Sequence, residues 1–418
     1  MGMLKNAKFL FILFLISTQV RAQDTLKINI RQADSIFLKN SFYLLASSMN
    51  IEAQKAQVIQ AKLYPNPIFT ANVNAYDPEN NKFFHIGETG QKVFQLEQLI
   101  LLGGKRKAEI EMAKTNTVIA ELEFQQLAKN LKFQLHSNLY SAGQQEFLLH
   151  KYNEQLTLLD SLLSTYQVQA DKGNIPLKEV VRLKGAYLKL NNGRAELFRD
   201  YFAAQSILRK ILQVSSIIQF EYSEEDISRY VKLISLADIQ STASTHRPDL
   251  LIMQQSNILS KQYLQYQKKL AIPDINLFTS YDQRSGAFQN QIDAGISIPL
   301  HLWNRNQGNI KAAQFKLQET DYQIQSVQNE IASEIQNAYT VYMQTVSEYE
   351  KSNKLYNQDF ETTLKAMTDN FQKQNVSIIE FIDFFEAHNE VLTELTRIKT
   401  QLVSSAEKLN FLTGASIY

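Results

Sequence analysis

The sequence predicts a mainly α-helical protein that also carries a few amphipathic β-strands. The chain has 418 residues but only 13 glycines and 7 prolines, so few residues are available to interrupt regular elements. Two stretches without proline, 79–175 and 300–418, carry apolar residues at spacings of three and four. Such spacing is typical of amphipathic helices close to the heptad repeat of coiled coils.

The composition excludes several classes of protein. With 43 basic and 42 acidic residues the net charge is +1, which leaves no basic excess for binding nucleic acid. The absence of cysteine excludes disulfides, thiolate chemistry, cysteine metal sites and lipid attachment through a cysteine. Hydrophobic residues make up 44% of the chain, too few for a multi-helix membrane protein. No phosphate loop, catalytic triad or histidine metal motif is present, so we predict no enzyme, no cofactor and no metal site.

The first 22 residues have the features of a cleavable signal peptide. Two lysines precede an apolar run at 9–16, and Val20 and Ala22 occupy the small-residue positions before a cleavage site. We therefore expect residues 1–22 to be removed and the mature protein to be exported.

The helix pattern predicts two very long helices and several shorter ones. The long helices should run from near 105 to 171 and from near 305 to 372. At about 1.5 Å rise per residue each would be roughly 100 Å long, which predicts an elongated protein. The shorter helices are predicted at 31–63, 176–213, 247–270 and 377–412, with a connecting segment before the third.

Four short segments alternate apolar and polar residues and predict two β-hairpins. The segments "IFTANVNAY" and "KVFQLEQL" would form a hairpin over 68–99, and "INLFTSY" and "DAGISI" a second over 274–299. Each segment places its apolar side chains on one face, and each pair is joined by a polar linker.

The same order of elements occurs twice. "LLGGKRKAEIEMA" matches "LWNRNQGNIKAAQ" at an offset of 200, and "DKGNIPLKEV" matches "KQNVSIIEF" at an offset of 201. We predict an internal repeat of about 200 residues, with 23–245 as the first unit and 246–418 as the second.

Four strands cannot close a membrane barrel, since the smallest have about eight. An open strand edge in lipid leaves backbone groups unsatisfied. If these strands lie in a membrane, several chains must pool them, and three chains would supply twelve strands.

Five segments resemble the outer membrane factor family typified by TolC, and in particular its CzcC/CusC-like branch. They are "QLILLGGKRKAEIEMA", "RPDLL", "ISIPLHLWNRNQGNIKAA", "ADKGNIPLKEV" and "KQNVSIIEFIDF". The resemblance implies a homotrimer whose 12-stranded β-barrel sits in outer membrane lipid and continues as a long α-helical barrel into the periplasm. It also implies a passive channel that works with a periplasmic adaptor (membrane fusion protein) and an inner-membrane RND pump.

The cargo implied by this branch is heavy-metal cations, with drugs or other small molecules as the alternative. Many relatives carry a lipidated cysteine, which this chain lacks, so we expect no lipid anchor. The alternative hypothesis is an exported coiled-coil structural or adaptor protein, but such a protein has no reason to carry amphipathic strands.

The resemblance assigns Glu380 and Asp383 to the constriction of the pore. They are three residues apart and so share a helix face. Rings of carboxylates attract cations, and their crowding would raise the pKa of some of them. The alternative is that Glu380 belongs to a capping box with Ser377.

The resemblance also assigns two turns to the adaptor-contacting tip. Ordinary turn chemistry is the alternative reading, in which glycine ends a helix and proline begins the next. Gly173 permits a left-handed backbone, and since the second turn has Gln374 there, we expect Asn375 to supply that conformation. The tip residues are Gly173, Asn174, Pro176 and Glu179 in the first turn and Gln374, Asn375 and Ser377 in the second.

Three aromatic residues lie near the predicted hairpins. Trp303 follows the fourth strand and would either mark the membrane–water interface or pack at the strand–helix junction. Phe83 and Phe84 lie in the first hairpin linker, where they could cap the outer mouth of a barrel or have no role.

Overall fold

The computed structural model of the chain describes residues 24–286, 288–356 and 359–418, and the predicted signal peptide lies outside them. Its helices are α1 (Ile30–Asn40), α2 (Phe42–Lys62), α3 (Lys105–Asp171), α4 (Leu177–Leu212), α5 (Glu224–Ser228), α6 (Leu236–His246), α7 (Pro248–Leu270), α8 (Gln307–Leu355), α9 (Asp359–Gln372) and α10 (Ile378–Thr413). Its strands are β1 (Thr25–Ile28), β2 (Ile68–Val73), β3 (Tyr76–Asp77), β4 (Lys82–Phe83), β5 (Lys92–Ile100), β6 (Ile217–Phe220), β7 (Ile275–Arg284) and β8 (Gln289–Ser297).

The chain divides into two compact units, each built from separate stretches of sequence. Among the described residues, the helical unit comprises 24–45 together with Leu127–Arg247 and Ile331–Tyr418. The sheet unit comprises Ala46–Gln126 and Pro248–Glu330. Each unit takes residues from both predicted repeats, so the spatial division differs from the sequence repeat. No helix within the described ranges combines the length and apolarity needed to cross a membrane.

Two predicted helices differ from the structure. The helix predicted over 31–63 is divided at Ser41, whose backbone is extended with ψ 110°, so that α1 ends there and α2 begins. The Ser41 amide donates to the Phe37 carbonyl at 3.1 Å and closes α1, while the Ser41 carbonyl accepts from the Leu45 amide at 3.0 Å in the first turn of α2. The helix predicted from near 305 to 372 corresponds to α8 and α9, and residues 357 and 358 between them lie outside the described residues.

The sheet unit contains a four-stranded antiparallel sheet in the order β2-β5-β7-β8. Its register places apolar residues in rows on one face, and the row through Phe94 joins Ala71, Tyr281 and Ile292. That face is uncovered within the chain, with Phe69 66% exposed and Ile292 75% exposed. The next row along, on the opposite face, is polar and joins Thr70, Gln95, Ser280 and Asp293.

A buried ion pair fixes the passage from β5 into α3 within the sheet unit. The Lys105 ammonium lies 2.7 Å from the Asp274 carboxylate and donates to the Ile272 carbonyl at 2.7 Å. The same carboxylate accepts a hydrogen bond from the Leu102 amide at 2.8 Å. The side chain of Lys105 is 6% exposed, so its charge depends on these partners.

The structure has short strands that the sequence did not predict. In the helical unit β1 and β6 form a two-stranded parallel sheet. In the predicted polar linker of the first hairpin, β3 pairs with β4. The prediction of four strands therefore describes the main sheet but omits four short strands among the described residues.

Candidate functional site

The two predicted tip turns have the same backbone geometry. Each joins the end of one helix to the start of the next in the helical unit. The amide of Asn174 donates to the Gln169 carbonyl at 2.9 Å, and the amide of Asn375 donates to the Asn370 carbonyl at 2.9 Å. These hydrogen bonds satisfy carbonyl groups that a helix end leaves without partners.

The left-handed residue of the second turn is Gln374, so the expectation that Asn375 supplies this conformation is wrong. Gln374 has φ +61° and Gly173, at the matching place in the first turn, has φ +77°. A left-handed conformation is costly for a residue with a Cβ atom, so the second turn holds strain that the first avoids.

The helices that follow the turns begin differently. Pro176 is the N-cap of α4 and makes no side-chain cap hydrogen bond. Ser377 is the N-cap of α10 and forms a capping box with Glu380. Its amide donates to the Glu380 carboxylate at 2.9 Å and its hydroxyl donates at 2.8 Å. The capping alternative for Glu380 therefore holds, and these hydrogen bonds from Ser377 lower the pKa of the Glu380 carboxyl.

The other two acidic site residues, Asp383 and Glu179, are held by fewer contacts than Glu380. Asp383 is exposed on α10, one turn after Glu380, and makes no hydrogen bond or ion pair with the described residues. Glu179 is half-buried in the first turn of α4, where its amide donates to the Pro176 carbonyl at 3.0 Å. Glu380, Asp383 and Glu179 thus all lie in the first two turns of the helices that leave the tips.

A column of stacked aromatic rings brings both turns to one end of the helical unit. Tyr166, near the end of α3, stacks on Phe371 of α9 at 5.2 Å, and Phe371 stacks on Phe381 of α10 at 4.3 Å. Phe371 and Phe381 are buried. The column packs α3, α9 and α10 against one another next to the two turns.

The aromatic residues near the hairpins are all exposed. Trp303 lies between β8 and α8 and is 85% exposed, so it does not pack at the junction within this chain. Phe83 contacts the Tyr76 ring across the β3–β4 pair at 4.9 Å but is otherwise exposed. Phe84 is also exposed and adopts a left-handed backbone.

Sequence reasoning missed a buried charged cluster in the helical unit. His136 of α3 lies between two carboxylates, with Nδ1 2.8 Å from Glu407 of α10 and Nε2 2.8 Å from Asp34 of α1. The Tyr230 hydroxyl donates to Glu407 at 2.7 Å. We call these four residues the His136 cluster. No local sequence pattern indicates this cluster, because the partners of His136 are separated from it by more than 90 residues of chain.

The cluster favours the charged forms of His136, Glu407 and Asp34. Burial alone would lower the pKa of His136, but the hydrogen bonds and charges of Asp34 and Glu407 outweigh it and raise that pKa. Burial would raise the pKa of Glu407 and of Asp34, but the His136 imidazolium lowers both. The imidazolium therefore links three helices through two ion pairs.

A second histidine also has an acidic neighbour. His85 lies in the first hairpin linker with Nδ1 2.6 Å from Asp77 and Nε2 3.0 Å from the Thr89 hydroxyl. Across residues 24–286, 288–356 and 359–418, no three acidic or histidine side chains are grouped so that they could hold a metal ion.

Part of the chain matches a known family. Residues 239–415 match the sequence model described as Outer membrane efflux protein. The chain is 20% identical over 299 residues to the cobalt-zinc-cadmium resistance protein CzcC of Cupriavidus metallidurans. That match covers 68% of this chain and 66% of CzcC, slightly less than two thirds of its length.

Solved structures share the fold over nearly the whole chain. CusC, whose crystal structures concern folding and transmembrane channel formation, has a TM-score of 0.74 at 15% identity and covers 92% of each chain. A membrane protein from Pseudomonas aeruginosa has a TM-score of 0.75 at 14% identity, covering 94% of this chain and 93% of its own. The CmeC outer membrane channel of Campylobacter jejuni has a TM-score of 0.72 at 13% identity, covering 93% and 86%.

The chain therefore has the same fold as these channel structures. The chain is similar to outer membrane efflux proteins of the CzcC/CusC type.

Proposed function

We propose that the protein is the outer membrane channel of a tripartite RND-type efflux system and that it conducts its cargo passively. The observation that carries this proposal is the four-stranded sheet. Its apolar face is exposed within the chain, and its edge strands β2 and β8 have no outer partner among the described strands. A sheet of this kind is stable in lipid only if its edges pair with further strands.

Three copies would satisfy both requirements. They supply twelve strands, so that each β8 edge pairs with the β2 edge of the next copy and no edge stays open. The apolar row through Phe94 then faces lipid, and the polar row through Gln95 faces the lumen. Trp303, which is exposed beyond β8, would then lie at the membrane–water interface.

The tip turns are proposed to contact the periplasmic adaptor, and Glu380 and Asp383 to line the constriction. Both carboxylates are exposed on one face of α10. In a trimer they would place six carboxylates at the aperture, which attracts cations and repels anions. The capping box does not conflict with this role, because the Glu380 carboxylate remains charged while it accepts from Ser377.

Divalent heavy-metal cations are proposed as the cargo. The name of the similar CzcC protein supports this choice, although the identity is 20%. A passive channel receives its cargo from its pump, so drugs or other small molecules remain the second candidate. Nothing in the arrangement requires chemistry on the cargo, and the protein is proposed as a channel that is not an enzyme.

Electron cryo-microscopy of the detergent-extracted protein tests the assembly. We expect a threefold tube with a twelve-stranded barrel at one end. A monomer, or a helical rod without a barrel, would refute the proposal and favour an exported coiled-coil protein. Deleting the gene in its host tests the cargo separately: increased sensitivity to zinc, cobalt or cadmium supports metal export, whereas sensitivity to drugs alone refutes it.

A further inference from the structure

A cavity of about 470 Å³ lies in the helical unit between α3, α4 and α10. Leu190, Phe385 and the ring of Tyr152 form its apolar wall. Gly193 also lines it, and a Cβ atom there would lie 3.3 Å from the Tyr152 ring. The absence of a side chain at Gly193 keeps the cavity open beside the aromatic ring.

The two hydroxyl groups at the cavity already donate their hydrogen atoms to other protein groups. The Thr393 hydroxyl donates to the Asn389 carbonyl at 2.8 Å. The Tyr152 hydroxyl lies 2.8 Å from the Thr393 oxygen and must therefore donate to it. The Lys189 ammonium is held by Glu386 at 2.7 Å. The polar groups left at the cavity are mainly acceptors.

One of these acceptors is buried and has no donor. Asn389 is 9% exposed and lines the cavity. Its side-chain oxygen, Oδ1, has no hydrogen-bond partner among the described residues. A buried acceptor without a donor is unfavourable, so this oxygen indicates a missing donor.

The charge at the cavity is negative. Glu386, Glu390 and Glu394 follow one another at successive turns of α10, where like charges repel. Glu386 pairs with Lys189, and Glu394 pairs with Arg397 at 2.6 Å. Glu390, between them, makes no ion pair or hydrogen bond with the described residues. A cation near Glu390 would remove this repulsion.

We propose that this cavity binds an organic cation that carries an ammonium group on a small apolar or aromatic body. The ammonium donates to Asn389 Oδ1 and pairs with Glu390. The body packs on Leu190 and Phe385, and the Tyr152 ring adds a cation–π contact. A metal ion fits less well, because the described residues offer no group of three acidic or histidine ligands. The site is independent of the proposed cargo and of the proposed barrel.

Fluorine NMR of 2-(4-fluorophenyl)ethylammonium with the full-length protein in a non-ionic detergent tests this proposal. The matched neutral probe is 2-(4-fluorophenyl)ethanol, which has the same body without the charge. We expect saturable binding of the ammonium and at least about tenfold weaker binding of the alcohol, as loss of one charge-assisted contact predicts.

Three variants assign the binding to this cavity. Glu390→Gln, at an exposed position, should weaken binding of the ammonium about tenfold, and Asn389→Leu should weaken it by a similar factor. Glu350→Gln removes an exposed carboxylate of the same unit outside the cavity and should leave binding unchanged. Equal binding of ammonium and alcohol, no saturable binding, or an unchanged Glu390→Gln variant would overturn the proposal. Circular dichroism checks that each variant is folded, and the Glu390→Gln result stands even if Asn389→Leu does not fold.

Discussion

Gly173 and Gln374 occupy the same position in two turns that lie 201 residues apart in the sequence. Both residues are left-handed, and the hydrogen bonds around them match pair by pair. Only one of the two is a glycine. The turn therefore requires a left-handed residue but does not require glycine, although glycine adopts this conformation most easily. The match between the two turns also supports the proposed internal repeat.

Replacing Gly173 by alanine and Gln374 by glycine should change the free energy of unfolding in opposite directions. Gly173→Ala should lower the free energy of unfolding by about 1 kcal/mol, because alanine resists φ +77° although its Cβ would meet no neighbour. Gln374→Gly should raise it by about 0.5–1 kcal/mol, because strain is released. Denaturant unfolding of the full-length protein measures both changes.

A glycine inside a helix provides the control. Gly185 lies in α4 and a Cβ there would also meet nothing within 4 Å. Gly185→Ala should stabilise the protein by about 0.5–1 kcal/mol, the usual helix-propensity gain. If Gly173→Ala were stabilising as well, the left-handed conformation would not matter at the tip.

The charge and the cap at Glu380 can be separated by two substitutions. Glu380→Gln removes the charge but keeps a side chain that can accept from Ser377, so stability should change by less than about 0.5 kcal/mol. Glu380→Ala should cost about 0.5–1 kcal/mol through loss of the cap. If Glu380 lines the constriction, both variants should reduce cation preference equally in planar bilayers, with Asp383→Asn adding to the effect.

Ser377→Ala is the converse control, since it breaks the cap and keeps the carboxylate. At neutral pH it should leave cation preference intact. Because Ser377 lowers the pKa of Glu380, the variant should lose cation preference at a higher pH than the wild type as the solution is acidified. Unaltered selectivity in Glu380→Gln/Asp383→Asn would show that the constriction lies elsewhere.

The ion pair at the start of α3 should be essential to the sheet unit. Asp274→Ala leaves the buried Lys105 ammonium uncompensated and removes the acceptor of the Leu102 amide, so we expect a loss of about 3–5 kcal/mol. Adding Lys105→Met to this variant should restore part of the loss. Glu319→Ala, which breaks an exposed ion pair with Lys316, should cost less than about 0.5 kcal/mol. Thermal unfolding of the purified protein compares the three.

The His136 cluster should make stability depend on pH on both sides of a maximum. The raised pKa of His136 gives stability that is complete below its ordinary value near about 6.5 and is lost as pH rises through the folded-state value. The lowered pKa values of Asp34 and Glu407 give stability that is complete above about 4.5 and is lost in acid. Melting temperatures should therefore fall from pH 6 to pH 9.

His136→Gln should abolish that alkaline slope and cost about 3–5 kcal/mol at pH 6, because the buried Glu407 carboxylate loses the imidazolium that pairs with it, whereas Asp34 keeps an ion pair with Lys132 at 3.1 Å. His150→Gln is the matched control, since the His150 side chain is 73% exposed and lies 3.4 Å from the Glu154 carboxylate, whose side chain is 55% exposed. A wild-type slope that persists in His136→Gln would assign the pH dependence to other groups.

Local sequence signals account for the long elements. The bounds predicted for α3 coincide with Lys105–Asp171 because proline is absent inside it and left-handed glycines stand at both ends, Gly103 and Gly104 before it and Gly173 after it. The rows of the main sheet follow from strict alternation, which fixes the face of each side chain once the hairpins pair.

Features that depend on distant partners were not predictable in the same way. The strands β1 and β6 are four residues long and pair across most of the first half of the chain. The His136 cluster needs residues from α1 and α10 at once. The short helices α5 and α6 do carry a local signal. Ser223 stands three residues before Asp226 and caps α5, and Ser235 stands three residues before Asp238 and caps α6.

The pairing of β5 with β7 has a consequence for how the chain folds. Neither the main sheet nor the His136 cluster can form until residues from the second half of the chain are present. Contacts of such long sequence separation close slowly, because the loop entropy is lost before the contacts are gained. The first-half strands would meanwhile expose apolar residues that aggregate readily. A chaperone that holds unfolded chains would thus have both the time and the surface to bind this protein before it assembles.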